Sequence, residues 1–400
     1  MRRLDDLDLT GRRVLLRADL NVPLEHPAGG RARVADDTRI RAALATIEEL
    51  RAKGASIVLV SHLGRPHDRE PELSMHPVAE RLGELLSTPV ICADAVVGPA
   101  VRALAERLLP GEILVLENVR YEPGETANEP AFASSLAELA EVYVNDAFGS
   151  AHRAHASTEG VTHLLPSAAG RLMQREVEVL TALQRNPARP LLAVLGGAKV
   201  ADKIELVGRF LQSADAVLIG GAMSFPFLAA EDHATGASLC AAQDIPRARH
   251  TLERAVREGC RLGLPEDLII AQGLDDEGET RTLAHVDVPD GWMGLDIGPR
   301  TAERYAREID AAATVFWNGP MGAFEHEPFA AGTRAVAHAL AHNRGTTVVG
   351  GGETVEALRS LGLQDKITHI STGGGATLEM LSGRALPGVQ ALERQSTPDS

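Results

Sequence analysis

Short apolar runs rich in Val, Ile and Leu recur along the chain, and each gives out in a polar or glycine-rich turn. They cover residues 14–16, 57–60, 113–116, 142–144, 191–195, 216–219, 268–270, 314–317, 346–349 and 367–370. Segments of helical period fill the intervals. Residues 38–53 set Ile40, Leu44, Ile47 and Leu50 at spacings of three and four, and residues 76–86 form another such segment. Strands that are apolar throughout must be covered on both faces, and alternating helices supply that cover. The chain is therefore expected to be α/β, built on parallel sheets.

Four hundred residues exceed one ordinary core, so two domains of about 150–200 residues are expected. The strands fall into two groups, before and after about residue 170. Between them Met173, Val177, Leu180 and Leu183 make an apolar stripe that stops at Asn186-Pro187, which reads as a long helix joining the domains. The expected boundaries are 1–170, a joining helix at 171–187, and 188–378. Residues 395–400 read as a frayed polar tail.

The net charge of −15 argues against a nucleic-acid surface and against a basic membrane-binding face. Cys92, Cys240 and Cys260 fit neither zinc nor redox spacing, so a reducing compartment without disulfides is expected. Residues 1–13 carry charge but no apolar core, so no secretory signal is expected. No apolar run reaches about 18–20 residues, so no transmembrane helix is expected and the cytoplasm is the expected location.

In open α/β sheets ligands bind beyond the carboxyl ends of the strands. In the first half those ends read Arg17-Ala18-Asp19-Leu20-Asn21, Ser61-His62-Leu63-Gly64-Arg65-Pro66, Glu117-Asn118-Val119-Arg120, and a stretch at 145–155 that includes His152, Arg153 and His155. Arg39 opens the first long helix. A lone arginine there is most often a surface ion pair. Five arginines and three histidines at comparable positions of an acidic chain point instead to a small, multiply charged anion. His152-x-x-His155 has no evident third partner and is not read as a metal pair.

In the second half the ends are rich in glycine. They read Gly196-Gly197-Ala198-Lys199-Val200-Ala201-Asp202-Lys203, Gly220-Gly221-Ala222-Met223, Trp317 to Glu325, and Gly350-Gly351-Gly352-Glu353-Thr354. The last, Ser371-Thr372-Gly373-Gly374-Gly375, lies between a short apolar run and a helix start, where bare N–H groups suit phosphate. Such a side-chain-poor surface suits a flat nucleotide and its phosphates. Lys199 and Lys203 lie one helical turn apart, and an anion between them would relieve their repulsion. Neither a Walker A pattern nor an intact GxGxxG fingerprint is present.

The motifs RADLNVPL (17–24), DDTRIRAAL (36–44), SHLGRP (61–66), LENVRYEPGE (116–125), NDAFGSAHRAHAS (145–157), LGGAKVADKIELV (195–207), GLDIGP (294–299), WNGPMGAFE (317–325) and STGGGATLE (371–379) resemble those of the phosphoglycerate kinase family, in order and over nearly the whole chain. The resemblance implies two Rossmann-like domains joined by a hinge, with residues 379–400 packing back on the N-terminal domain. It implies reversible transfer of a phosphoryl group between 1,3-bisphosphoglycerate and ADP, with Mg2+ accompanying ADP or ATP, in a cytoplasmic monomer. It places Asp19, Leu20, Asn21, Arg39, His62, Leu63, Gly64, Arg65, Arg120 and Arg153 on the glycerate ligand. It places Lys203, Gly294, Asn318, Glu325, Gly350, Gly351, Gly352, Glu353 and Thr354 on the nucleotide, and Arg39, Lys199, Gly373, Gly374 and Gly375 on the phosphoryl group in transit.

Glu353 stands where the family usually has an aspartate that resembles a magnesium ligand. The extra methylene bears on an ion that demands near-octahedral geometry. Arg171 replaces a usual phenylalanine, and no function attaches to it; residues 26–32 lengthen the first loop and are expected to face solvent. Two other readings compete. A nicotinamide dehydrogenase would suit two such domains but lacks the glycine fingerprint. A non-catalytic binding protein of this fold would be expected to have lost Arg39, Lys199 or Lys203, and all three are present.

Overall fold

The structure is a computed structural model and describes residues 1–27, 30–198, 203–274 and 279–394. The tail at 395–400 and Lys199 lie outside those residues. The chain divides into two compact units, Met1–Glu178 with Ala385–Ser400, and Val179–Arg384.

The first unit opens with β1 (Arg13–Arg17) and an antiparallel ribbon of β2 (Leu24–Glu25) and β3 (Arg33–Val34). The loop at 26–32 joins the ribbon strands and is exposed at His26, Pro27, Gly30 and Arg31. Strands β4 (Ser56–Val60), β5 (Ile91–Cys92), β6 (Ile113–Val115), β7 (Val142–Asn145) and β8 (Ser167–Ala169) then alternate with helices α1 (Thr38–Ala52), α2 (His76–Leu86), α3 (Pro99–Glu106), α4 (Pro123–Thr126) and α5 (Pro130–Ala137). Among the described residues the sheet has six strands in the order β5-β6-β4-β1-β7-β8, all paired in parallel.

Alternate residues of each strand serve opposite faces, as the two-residue period requires. Val14, Leu16, Ile57 and Leu59 pack with Ile40 and Ile47 of α1 and Val78 and Leu82 of α2. Leu15, Val58, Val60 and Leu114 pack with Val101 of α3 and Phe132 and Leu136 of α5. Helix α6 (Arg171–Arg185) follows β8, and the boundary between the units falls within it. Its Met173, Leu180 and Leu183 are buried, whereas Val177 is half-buried.

The second unit carries β9 (Leu191–Leu195), β10 (Ala216–Ile219), β11 (Arg261–Gly263), β12 (Leu268–Ala271), β13 (Arg281–Leu283), β14 (Met293–Ile297), β15 (Thr314–Asn318), β16 (Thr346–Gly350) and β17 (His369–Ile370). Its helices are α7 (Ile204–Ser213), α8 (Phe225–Ala230), α9 (Ile245–Glu258), α10 (Pro299–Ala311), α11 (Ala331–His342), α12 (Gly352–Ser360) and α13 (Gly375–Leu381). The large sheet runs β11-β10-β9-β15-β16-β17, again all parallel. One face of it packs Val194, Val315, Trp317 and Val349 against Tyr305, Val336, Leu340 and Leu358. On the other, Phe316 stacks on Phe210 of α7 with ring centroids 5.2 Å apart.

The apolar run at 268–270 departs from the expectation of parallel sheets. It becomes β12 of a separate antiparallel sheet, β13-β12-β14, closed over Phe225, Leu228 and Trp292. Periodicity reports burial, and a strand buried against a small satellite core reads like one in the main sheet. Helix α14 (Pro387–Arg394) belongs to the first unit, where Gly388 N–H donates to Ala151 O at 2.9 Å and Arg394 pairs with Glu159 at 2.8 Å.

In each large sheet the first strand stands at the centre and the chain moves out on one side before crossing to the other. The loops after β1 and β7, and after β9 and β15, therefore leave in opposite directions and open a crevice.

Asp267, at the start of β12, caps α10 from outside it. Its carboxylate accepts from Arg300 N (2.9 Å), Thr301 N (2.8 Å) and Thr301 Oγ1 (2.5 Å). Asp267→Ala strips these buried donors of their acceptor and is expected to cost about 2–4 kcal/mol, read by urea denaturation. A loss under about 0.5 kcal/mol, the range of ordinary surface substitutions, contradicts the capping role.

Candidate functional site

The crevice of the first unit is ringed by cations at two depths. Arg39, on the first turn of α1, is half-buried and pairs with Asp19 at 2.7 Å. Arg65 is exposed, and Arg120 is half-buried and donates to Gly64 O. Arg153 donates to His152 Nε2 at 3.1 Å. Beneath them lie Arg17, 1 % exposed, and His62, 4 % exposed. Sequence reasoning set all of these on one rim, and the structure instead puts Arg17 and His62 under it. The cause is local: Arg17 ends β1, whose side chains are enclosed, and its guanidinium turns to Ser157 Oγ (2.9 Å) and His62 Nδ1 (3.1 Å).

The neighbouring residues hold the rim's loops in place. Asn21 Oδ1 accepts from Gly64 N at 2.8 Å, and Leu20 N donates to Ser61 Oγ at 2.9 Å. Leu63 N donates to Asn118 Oδ1 at 3.2 Å, and the side chains of Leu20 and Leu63 are buried. Gly64 sits at φ +61°, and a Cβ there would come within 2.8 Å of Leu73 Cδ2. So Leu20, Leu63 and Gly64 shape the loops with their backbones.

Burial and the surrounding charges together set the protonation states. Burial pushes the Arg120 guanidinium down to about 10, helped by Arg153 and Arg17. Burial alone would raise the Asp19 carboxyl, but the cationic neighbours, Arg39 and Arg17 among them, outweigh it and hold that carboxyl below the usual range. Burial, with repulsion from Arg17, Arg120 and Arg39, pushes His62 well below the ordinary histidine range against the pull of Asp19. The rim thus holds permanent positive charge that needs no pH change to meet an anion.

In the second unit the loops after β9 and β15 are pressed together. Gly196 N donates to Asn318 O (2.9 Å), Gly197 N to Pro320 O (2.8 Å) and Gly221 N to Met321 O (2.9 Å). A Cβ on Gly196 would lie 2.1 Å from Pro320 O, and Gly319 sits at φ +95° with Gly196 O only 2.2 Å from its would-be Cβ. Lys203 reaches over this seam, donating to the carbonyls of Gly196 and Asn318. Beside it opens a cavity of about 350 Å³ lined by Gly197, Gly221, Gly294, Leu295, Pro320, Gly322, Glu325 and Glu353, among others.

Glu325 and Glu353 are exposed on its wall. Asn318 and Thr354 are buried struts: Asn318 Nδ2 donates to Gly350 O at 2.6 Å, and Thr354 Oγ1 accepts from Gly319 N at 2.7 Å. Gly351 has φ +94°, and a side chain there would strike Asn318, whereas Gly352 faces open space. In the last loop Gly373 N donates to Ser371 Oγ at 3.2 Å, which removes it from the expected row of bare amides. Gly374 and Gly375 donate to no acceptor outside α13 among the described residues, and no atom lies within 4 Å of a Cβ built on Gly374. Lys199 lies outside the described residues.

Sequence reasoning missed Ser157 and Glu125 under the rim, and Leu239 and Leu295 in the second cavity. No motif marks a buried serine as a strut, and apolar lining reads as core. Among the described residues no helix is long and apolar enough to cross a membrane, and no group of three or more His, Cys, Asp or Glu could hold a metal ion.

Two Rossmann-like units, one ending in packed cations and the other in packed glycines, define the class: a two-domain phosphotransferase. The family model described as phosphoglycerate kinase matches residues 4–384. The phosphoglycerate kinase of Moorella thermoacetica is 53% identical over 390 residues, covering 97% of this chain and 98% of its own. The solved structure of phosphoglycerate kinase from Coxiella burnetii superposes with a TM-score of 0.89 at 37% identity, covering 99% of each chain. That of phosphoglycerate kinase from Pyrococcus horikoshii does so at 0.84 and 31%, with the same coverage. The chain belongs to the phosphoglycerate kinase family. The family's activity is the glycolytic transfer of a phosphoryl group between 1,3-bisphosphoglycerate and ADP, giving 3-phosphoglycerate and ATP.

Asp296 of β14 ties the cavity wall together, accepting from Ile297 N (2.9 Å) and Gly332 N (2.7 Å), and a Cβ on Gly322 would meet it at 2.4 Å. Burial pushes its carboxyl up to about 7. A carboxyl raised in the fold binds its proton more tightly folded than unfolded. Its contribution is full below about pH 4 and is lost as pH rises to about 7. Urea denaturation from pH 4.5 to 8 is expected to show this decline, and Asp296→Asn to flatten it. Parallel profiles for the two proteins contradict the assignment.

Proposed function

We propose that the cationic rim of the first unit takes 3-phosphoglycerate or 1,3-bisphosphoglycerate, and that the glycine-lined cavity of the second takes ADP or ATP. The observation that carries this reading is the gathering of Arg17, Arg39 and Arg120 at the strand ends of the first unit, Arg17 Nη2 3.1 Å from His62 Nδ1, Arg39 on Asp19 and Arg120 on Gly64 O, in a chain of net charge −15. Such crowding of like charge is costly unless an anion completes it. Asp19, Asn21, Arg39, His62, Arg65, Arg120 and Arg153 then form the glycerate site, on loops held by Leu20, Leu63 and Gly64. Lys203, Gly294, Asn318, Glu325, Gly350, Gly351, Gly352, Glu353 and Thr354 form or support the nucleotide site.

The acceptor is a carboxylate, already ionised at pH 7. No general base is required, and the rate rests on in-line positioning and on neutralising the oxygens in transit. Arg39 supplies charge from one domain and Lys199 from the other, with the amides of the Gly373–Gly375 loop, foremost Gly374 and Gly375. Two ligands held on separate domains must meet at one phosphoryl group. Closure about the hinge at 171–187 brings 1–170 and 188–378 to it and expels water that would hydrolyse the acyl phosphate. Of the expected returning segment 379–400, residues up to Arg384 fall in the second unit, so in this scheme the part that belongs with the N-terminal domain begins at Ala385, and the working form is a cytoplasmic monomer.

Magnesium fits the residues present. It keeps most of its waters and needs only one or two carboxylates beside substrate phosphates, and Glu353 stands exposed on the cavity wall. Glu353 would hold the ion, which would supply further charge against the phosphate oxygens.

A coupled assay with 3-phosphoglycerate and ATP tests the whole reading and is expected to show turnover. Arg39→Ala is expected to lower kcat by about 10²-fold or more, as for other charges aimed at a transition state. A normal kcat with raised KM would make Arg39 a ground-state binder. Glu353→Asp is expected to lower the magnesium concentration needed both for half-maximal rate and for tight ADP binding by calorimetry. Superimposable titrations remove Glu353 from the ion's site.

A further inference from the structure

Below the cationic rim runs a line of buried hydrogen bonds whose direction is dictated at every step. Glu125, at the end of α4, is fully buried. It accepts from Ser157 N at 2.9 Å and from Ser157 Oγ at 2.7 Å. The single hydroxyl proton of Ser157 is thereby committed to Glu125, and its lone pairs face Arg17 Nε at 2.9 Å. Tyr143 holds the same residue from the other side, its hydroxyl donating to Ser157 O at 2.6 Å. Arg17 then presents Nη2 to His62 Nδ1 at 3.1 Å.

A guanidinium has donors and no acceptor, so that contact is attractive only if Nδ1 carries a lone pair. The imidazole proton is then on Nε2, the nitrogen that Arg17 does not touch. We propose that Glu125, Ser157 and Arg17 are positioning residues that fix His62 as the Nε2–H tautomer, a donor to an anionic oxygen of the glycerate ligand. This rests on reading the rim as the glycerate site.

The surroundings agree with the geometry. The groups that act on His62 are Arg17 from β1, Asp19 after β1, Arg39 from α1 and Arg120 after β6. Three of the four are cations, which with burial keep a second proton off the ring. Burial would raise the Glu125 carboxyl, but bonding to His155 and Ser157 and the charge of Arg17 hold it low, so it stays an acceptor. The arrangement makes His62 a donor whose state does not change through neutral pH, where a solvent-exposed histidine would titrate.

The test is long-range proton–nitrogen NMR of the histidine rings in the full chain. His62 is expected to show a protonated Nε2 and a bare Nδ1 from pH 6 to 8, without inflection, and its Nε2 signal to move on adding 3-phosphoglycerate. A proton on Nδ1, or an ordinary histidine titration, overturns the proposal. Ser157→Ala frees Arg17 from its strut, and KM for 3-phosphoglycerate is expected to rise about 10-fold, more than kcat falls, in line with a lost bond to a charged group. Its KM is also expected to acquire a pH dependence between pH 6 and 8 beyond the one that the titrating phosphate of the substrate gives the parent; a profile parallel to the parent's counts against the relay. His62→Ala separates the two levels. An unchanged KM overturns the glycerate site itself, whereas a raised KM beside an Nδ1–H spectrum overturns only the relay.

Discussion

The enclosed guanidinium of Arg17 governs the first unit. Removing a charge of that size from water costs several kcal/mol even after relaxation, so every group around it must answer it. Glu125 answers from one side through Ser157, and Asp19 lies close enough on the other to feel its charge. The positions of the loops after β1, β4 and β7 follow, because each contributes a partner. The loop after β4 lends His62 and Ser61, which holds Leu20 N. The segment after β7 lends Ser157, and Ser150, whose hydroxyl reaches Asp19 at 3.3 Å. The rim's loops are tied from below by buried, charged and hydrogen-bonded groups.

The second unit solves the same topological problem with the opposite means. Its loops close on one another by removing side chains, so that carbonyls and amides of Gly196, Gly197, Gly221 and Pro320 bond directly. Lys203 meets the carbonyls of that seam. What remains exposed is backbone and a few apolar walls, with Glu325 and Glu353 at the edge. A surface of that kind accepts a flat ring and a phosphate tail, whereas a ring of arginines accepts a compact polyanion. This difference in strand-end chemistry matches the two ligands proposed, one for each unit.

Some readings of single residues changed on folding. Gly373 looked equivalent to Gly374 and Gly375, yet its amide is held by Ser371 Oγ, which also contacts Thr377 Oγ1. Arg171 had no expected role, and it forms paired bonds to Glu49 and Asp5 while its amide donates to Thr46 Oγ1. Asn318 and Thr354 are buried and tie the loops after β15 and β16 together. Strand β8, Ser167-Ala168-Ala169, escaped notice because small residues carry no apolar signal.

The sequence alone determined the α/β class, the two groups of strands and the chemistry gathered at their ends, because burial on both faces writes apolar runs and strand-end loops lie next to those runs in the chain. Arg17, Asp19, His62 and Arg120 were legible as a group for that reason. Tertiary structure alone decided depth and direction. It put Arg17 and His62 below the surface, turned Arg17 toward Ser157, 140 residues along the chain, and turned 268–270 into a separate antiparallel sheet. Depth and hydrogen-bond direction depend on which distant groups close over a residue, and local residue patterns carry no record of those partners.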